Sequence, residues 1–491
     1  MITFVLSLVA LVIGYFIYGK FIENVFGPDS SRETPAITHK DGVDYIPMPS
    51  WKIFMIQFLN IAGTGPIFGA IMGAKFGPSA YLWIVFGCIF AGAVHDYLSG
   101  MLSIRHNGAG LPEIVGIYLG KSVKKVMLIF TIFLMMMVGA VFVYSPALIL
   151  GDMTSTLSTN SVYIWCVIIF IYYLIATLLP IDKIIGKIYP LFAFAILFMA
   201  VALGINLFIK WPSLPELFEA GVSSSSFNGV DVFPALFITI ACGAISGFHA
   251  TQSPLMARCI KNEKYGRPIF YGSMITEGIV ALIWATISMY FFYGGGADEL
   301  GVANTLQAPQ VVTEVSKGWL GIAGGILAIL GVVAAPITSG DTALRSARLI
   351  IAEFVNLEQK SIKGRLYICI PLFAITMALL FFNLADQEGF NIIWNYFGWA
   401  NQTLSVFTLW AITVYLYSNH KKYLVTFIPA LFMTCVSSTF LCISPNSLNL
   451  DAQFSYIIGI STTIVAFMMF VSWARRGKHN SKIKRRTKER E

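Results

Sequence analysis

About thirteen runs of roughly 20 predominantly apolar residues follow one another along this chain of 491 residues, and that feature leaves few folds open. Each run is long enough to cross a hydrocarbon core about 30 Å thick as an α-helix. With 57% hydrophobic and only 12% charged residues, the chain has too little polar surface to clothe a water-facing molecule of this size. The runs predict an all-α, multi-pass membrane protein with about 13 transmembrane helices. The first run, near 3–26, has no basic residue ahead of it and no small-residue cleavage site behind it, so a retained helix is expected rather than a removable signal peptide.

The basic residues fix an expected orientation. Arg32 and Lys40, Arg105 and Lys121 to Lys125, Lys183 and Lys187, Arg258 to Arg267, Arg345 to Arg365, and Lys421 with Lys422 all follow odd-numbered runs. Linkers after even-numbered runs are nearly bare of them. Positive loops stay in the cytoplasm, so the N-terminus is expected outside and the C-terminus in the cytoplasm. The net charge of +8 comes largely from the tail 474–491, which reads as a topology signal lying against anionic membrane lipid; no nucleic-acid partner is expected. The seven cysteines lie in or near apolar runs, with no CxxC pair and no histidine at metal-ligand spacing, so neither a disulfide framework nor a metal site nor a cofactor is expected.

Two runs are punctuated unlike the rest. QFLNIAGTGPIFGAIMGAKFGP (57–78) and ITIACGAISGFHATQSP (238–254) carry Gly, Pro, Asn, Gln, Thr and His inside apolar sequence, the signature of helices that break within the membrane and expose backbone groups to a solute. They are the second and seventh runs. An interval of five is odd, so the second unit enters the membrane inverted, which predicts a five-plus-five inverted repeat core with a discontinuous first helix in each repeat. The expected organisation is an extra helix and cytoplasmic linker (1–51), a first repeat (52–209), an extracellular linker (210–231), a second repeat (232–417), two accessory helices (418–473) and the basic tail (474–491).

Candidate site residues follow from polarity that hydrocarbon would penalise. In the first broken run, Asn60, Gly63, Thr64, Gly65 and Pro66 allow a helix to stop and restart, presenting a helix N-terminus that favours a carboxylate. Gly65, Gly69 and Gly73 also fit a small-residue packing face, and the two readings are compatible. In the second, Ser246, His249 and Gln252 are candidate substrate ligands, while His249 is equally readable as a neutral histidine bonded to a carbonyl. His95 and Asp96 suit a proton relay, or else a fixed ion pair or a helix-end contact with Arg105. Thr338, Ser339 and Asp341 supply hard oxygens for a coupling ion or proton, or else Asp341 caps a helix with Arg345 and Arg348 as its partners. Glu277 and the set Asn395, Trp399, Asn401 and Gln402 complete the interior polar inventory, the aromatic members being readable as packing or interface residues.

The runs FLNIAGTGPIFGAIMGAKFGP, FAGAVHDYLSGM, GAISGFHATQSPLMARC, APITSGDTALRSARLIIAE and WNYFGWANQTL closely resemble signature segments of the carbon starvation protein A family, in order, over roughly residues 50–415. The resemblance implies an inner-membrane secondary transporter of the amino acid, polyamine and organocation superfamily type, moving pyruvate with protons in some members and, as proposed, peptides in others. The chain is shorter than the long enterobacterial members, which weakens transfer of any one member's substrate. The expectation is import of a small carboxylate, pyruvate first, by proton or sodium symport; a peptide permease stands second and a membrane nutrient sensor third. With no HExxH and no GxSxG, an intramembrane enzyme is not expected.

Overall fold

A backbone in hydrocarbon must satisfy its own N–H and C=O groups, and this chain does so with helices. The computed structural model describes residues 1–155, 158, 160–179, 185–220, 231–359, 361–385 and 389–488. Among the described residues the elements are all helical. Residues 221–230 of the expected extracellular linker, Lys183 of one basic linker and 489–491 of the basic tail lie outside them.

Among the described residues ten helices are long and apolar enough to cross a membrane, and the bent pair Ser50–Ala62 and Gly65–Phe76, angled by 50°, makes an eleventh if counted as one span. Two of the expected runs are not among them. The run 232–256 forms only Ala235–Thr239 and His249–Ala257, separated by a non-helical stretch that carries Gly243, Ser246 and Gly247. The run 391–417 does form a helix, Gly389–Ser418, but Asn395, Asn401 and Gln402 dilute its apolar character below that of a lipid-facing span. The helix Ala308–Val355 is broken at Gly321, whose φ of +67° suits a residue without a side chain.

Burial sorts the helices into an inner and an outer set. The most apolar windows of Ser79–Arg105, Glu263–Tyr293 and Gly324–Val355 are 83%, 78% and 78% buried, against 33% for Ile2–Phe26 and 17% for Ala452–Arg476. The outer helices expose Phe16, Ile17, Ile457 and Met469, side chains that acyl chains can cover at no hydration cost.

The two broken segments lie against each other at the centre. A Cβ built on Gly65 would fall 2.3 Å from Cys242 Sγ, one on Gly69 2.8 Å from the Thr239 carbonyl, and one on Gly73 2.4 Å from Ile240 Cδ1. The glycine stripe of the first segment is thus the seat of the second, and Gly65, where the helix restarts, belongs to both the break and the packing face.

Candidate functional site

The first break begins where Ser50–Ala62 ends at Gly63, with φ +46° and ψ −141°. Only glycine adopts that conformation without strain, and Phe142 lies 3.0 Å from where a Cβ would sit. The helix restarts at Gly65 with Pro66 in its first turn, where a missing N–H costs nothing. Gln57, Asn60 and Thr64 project from this segment at 0% exposure, and Gln57 Nε2 and Oε1, Asn60 Nδ2 and Oδ1, and Thr64 Oγ1 have no hydrogen-bond partner among the described residues. Leaving one such group unsatisfied costs about 1–3 kcal/mol. Five of them beside a restarting helix can meet a polar solute or water. Gln57 was not among the expected ligands, although its spacing of three and seven from Asn60 and Thr64 puts it on their face of a helix.

The second break is held open by Asn401. Its side-chain oxygen accepts from the Phe248 amide at 2.6 Å and the Ser246 hydroxyl at 3.0 Å, and its carbonyl accepts from the Gly247 amide at 3.2 Å. Gln402 donates to the Phe237 carbonyl at 3.0 Å on the other side of the gap. These two amides replace backbone bonds that the helix gives up. Trp399 instead donates to the Ser437 carbonyl at 3.0 Å, and with Asn395 it borders a groove against Phe440 and Leu441, away from the breaks. Gln252 spends its amide nitrogen on Thr251 at 2.9 Å and keeps Oε1 without a partner.

His95, Asp96 and His249 come together, fully buried. One Asp96 oxygen is 2.7 Å from His95 Nδ1 and the other 2.8 Å from His249 Nδ1, while His249 Nε2 faces Glu277 at 3.5 Å. The alternative pairing of Asp96 with Arg105 does not occur: Arg105 bonds Glu263 at 3.1 and 3.2 Å, Tyr415 and the Gly27 carbonyl. Nor does His249 bond a carbonyl through Nδ1, which Asp96 takes.

Asp341 lies on the other side of the first break. Tyr189 donates to Asp341 Oδ2 at 2.6 Å, and Oδ1 has no partner among the described residues. Ser339 donates to the Leu59 carbonyl at 3.0 Å, tying this helix to the turn before Asn60, and Thr338 bonds the carbonyls of Ala334 and Ala335 at 2.9 Å. The capping alternative is overturned, because Asp341 sits inside a continuous helical stretch and Arg345 and Arg348 turn elsewhere. Both reach Asp44, at 3.5 and 3.4 Å, from the end of the bundle that carries the basic loops. Burial alone would raise the Asp44 carboxyl, but the charges of Arg348, Arg345, Arg258 and Arg365 hold it below the usual carboxylate range. At the opposite end, a cavity of about 410 Å³ is lined by Phe68, Lys75, Tyr293, Gln307 and Trp394, with Phe68 belonging to the restarted helix.

Comparison with known proteins gives a consistent picture. The family model described as "Carbon starvation protein CstA" matches residues 1–162, 147–308 and 293–440. An uncharacterized membrane protein of Haemophilus influenzae is 46% identical over 60% of this chain and 91% of its own length. The peptide transporter CstA of Campylobacter jejuni is 30% identical over 62% of this chain and 54% of its own length. The pyruvate/proton symporter BtsT of Escherichia coli is 28% identical over 57% and 47%. The chain thus spans about half the length of these two named transporters. Among solved structures, the Eremococcus coleocola manganese transporter is alike in fold at 12% identity, TM-score 0.54, over 89% of this chain and 98% of its own. A Na+-coupled sialic acid symporter is alike at 12% identity, TM-score 0.52, over 93% and 96%.

Proposed function

The chain belongs to the carbon starvation protein CstA family and is a secondary transporter rather than an enzyme, and from that premise we propose that it imports a small organic acid, pyruvate first, by cation symport with alternating access. The observation that carries this reading is the cluster of buried, unpartnered polar atoms of Gln57, Asn60 and Thr64 at the restart of a broken helix. The first turn of a restarting helix has amide donors without intrahelical partners and a partial positive charge, and both favour a carboxylate. The amides of 63–65, with Asn60, Gly63, Thr64 and Gly65, hold that carboxylate; Gln252 Oε1 faces the rest of the solute from the second break. Ser246 and His249, engaged with Asn401 and Asp96, keep the second break in shape around it.

Coupling falls to Asp341, with Thr338 and Ser339 beside it. Both oxygens of Asp96 are occupied by His95 and His249, whereas Asp341 keeps one oxygen free for a proton or Na+. The reading extends to the whole chain as thirteen crossings with a five-plus-five inverted core, N-terminus outside and C-terminus in the cytoplasm, supported by the abutting breaks and the peripheral first and last helices. Solute would enter beside Lys75 and leave where Asp44 meets its arginines.

Labelled pyruvate uptake into proteoliposomes under an imposed inward proton gradient, with and without sodium, tests the proposal. Accumulation that follows either gradient supports symport, and uptake indifferent to both sinks the coupling. Peptide transport is the second reading, favoured by the named relatives. Excess dipeptide that blocks pyruvate uptake would place both on one site, and dipeptide uptake without pyruvate uptake would replace the first reading with the second.

A further inference from the structure

We propose that Cys242, His249 and Glu277 form a site for one transition-metal ion of the Zn2+ class, pinning the second break to the neighbouring helix. One ligand atom from each residue lies within 4.8 Å of the other two, and all three residues are buried. Ligands around a tetrahedral Zn2+, at about 2.0–2.3 Å from the ion, stand roughly 3.5 Å apart, so small side-chain rotations close the set. The spacing in sequence gives no warning, because Cys242 and His249 flank an unwound stretch rather than sharing a helical turn, and Glu277 comes from Gly272–Tyr293.

The atoms that would bind the ion are the ones the protein leaves unused. Both Glu277 oxygens and His249 Nε2 have no hydrogen-bond partner among the described residues, and they face each other at 3.5 Å, a distance for an ion pair rather than a hydrogen bond. The Cys242 sulfur makes long contacts with Ser246 Oγ at 3.7 Å and Asn401 Nδ2 at 3.8 Å, and it also faces His249. A buried carboxylate whose facing histidine stands 3.5 Å away is poorly compensated, and a divalent cation between them would satisfy both groups.

The surroundings match those of a ligating histidine. Asp96 takes His249 Nδ1 at 2.8 Å, which fixes the ring and leaves Nε2 for the ion, and His95 holds the second Asp96 oxygen at 2.7 Å. Thiolate, imidazole and carboxylate together suit Zn2+, Co2+ or Fe2+ and exclude a hard ion such as Na+ or Mg2+. Three protein ligands leave a fourth position for water or a solute oxygen. The inference does not depend on which solute is carried.

Purified protein, kept free of chelators, loaded with ZnSO4 and desalted, is assayed for zinc by mass spectrometry. Parallel samples loaded with CoCl2 are read for the thiolate-to-cobalt charge-transfer band in the near ultraviolet. Wild type is expected to retain one zinc per chain and show the band; Cys242→Ser and Glu277→Gln are expected to retain at least tenfold less zinc. Wild-type zinc no higher than that of a monodisperse Cys242→Ser sample overturns the site, as does bound cobalt without the band. Should both variants aggregate, X-ray absorption at the zinc edge of wild type decides alone: one sulfur at about 2.3 Å with nitrogen and oxygen neighbours supports the site, and a sulfur-free shell overturns it.

Discussion

Tyr189 donates a 2.6 Å hydrogen bond to one oxygen of Asp341 and leaves the other oxygen buried without a partner. A carboxylate half-satisfied in this way can take up a proton or a small cation at the free oxygen while the tyrosine keeps its rotamer fixed. Asp341→Asn carries a permanently neutral amide there. Gradient-driven accumulation of pyruvate is therefore expected to be lost, while counterflow exchange, which needs no net proton movement, persists. Tyr189→Phe keeps the acid but frees it to rotate, and a partial loss of accumulation is expected. An Asp341→Asn protein that accumulates as well as wild type would move the coupling role to another residue.

Asn401 is the strut of the second break, and its replacement separates acceptor chemistry from side-chain shape. Asn401→Ala leaves the buried Phe248 amide and the Ser246 hydroxyl without their acceptor. About 1–3 kcal/mol of stability is expected to go with each orphaned group, along with transport. Asn401→Asp retains an oxygen for both donors, and its loss is expected to be smaller. Thermal unfolding in detergent ranks the three proteins; equal midpoints for Ala and Asp would show that the amide's hydrogen bonds do not hold the break.

The helix breaks were readable from the chain because Gly and Pro act locally, where Gly63 requires a positive φ and Pro66 sits in a first turn. The partners of the charged groups were not, because they depend on contacts that no local pattern encodes. His249 and Asp96 were each legible as costly polar residues, yet their pairing spans 153 positions. Arg345 and Arg348 stand one and two turns after Asp341, which invites a local pairing, but long side chains at a helix end reach across elements to Asp44, 304 positions from Arg348. Glu277 was legible as a polar residue in a mostly apolar run, with Thr276 beside it, but only the folded bundle sets it against His249. Asn401 and Gln402 were legible as interior amides; their work as substitutes for lost backbone bonds follows from where the second break passes.

Asp44 joins the loop before the first broken segment to Arg345 and Arg348, and so closes the end of the bundle that bears the basic loops. Removing one partner of a buried ion pair costs about 3–5 kcal/mol, because the remaining charges stay buried. Asp44→Asn is expected to unfold at a lower temperature and to exchange backbone deuterium faster over 40–49 and 345–359. The arginines lower the Asp44 carboxyl in the folded protein, so its contribution is fully present above the ordinary aspartate value of about 3.9 and is lost as pH falls through the lower folded value. The gap in unfolding temperature between wild type and Asp44→Asn should therefore hold steady from about pH 5 to 8 and narrow only in acid below about pH 4. A gap that shrinks between pH 8 and 5 would mean that a histidine rather than Asp44 governs this closure, and no gap at any pH would remove Asp44 from it.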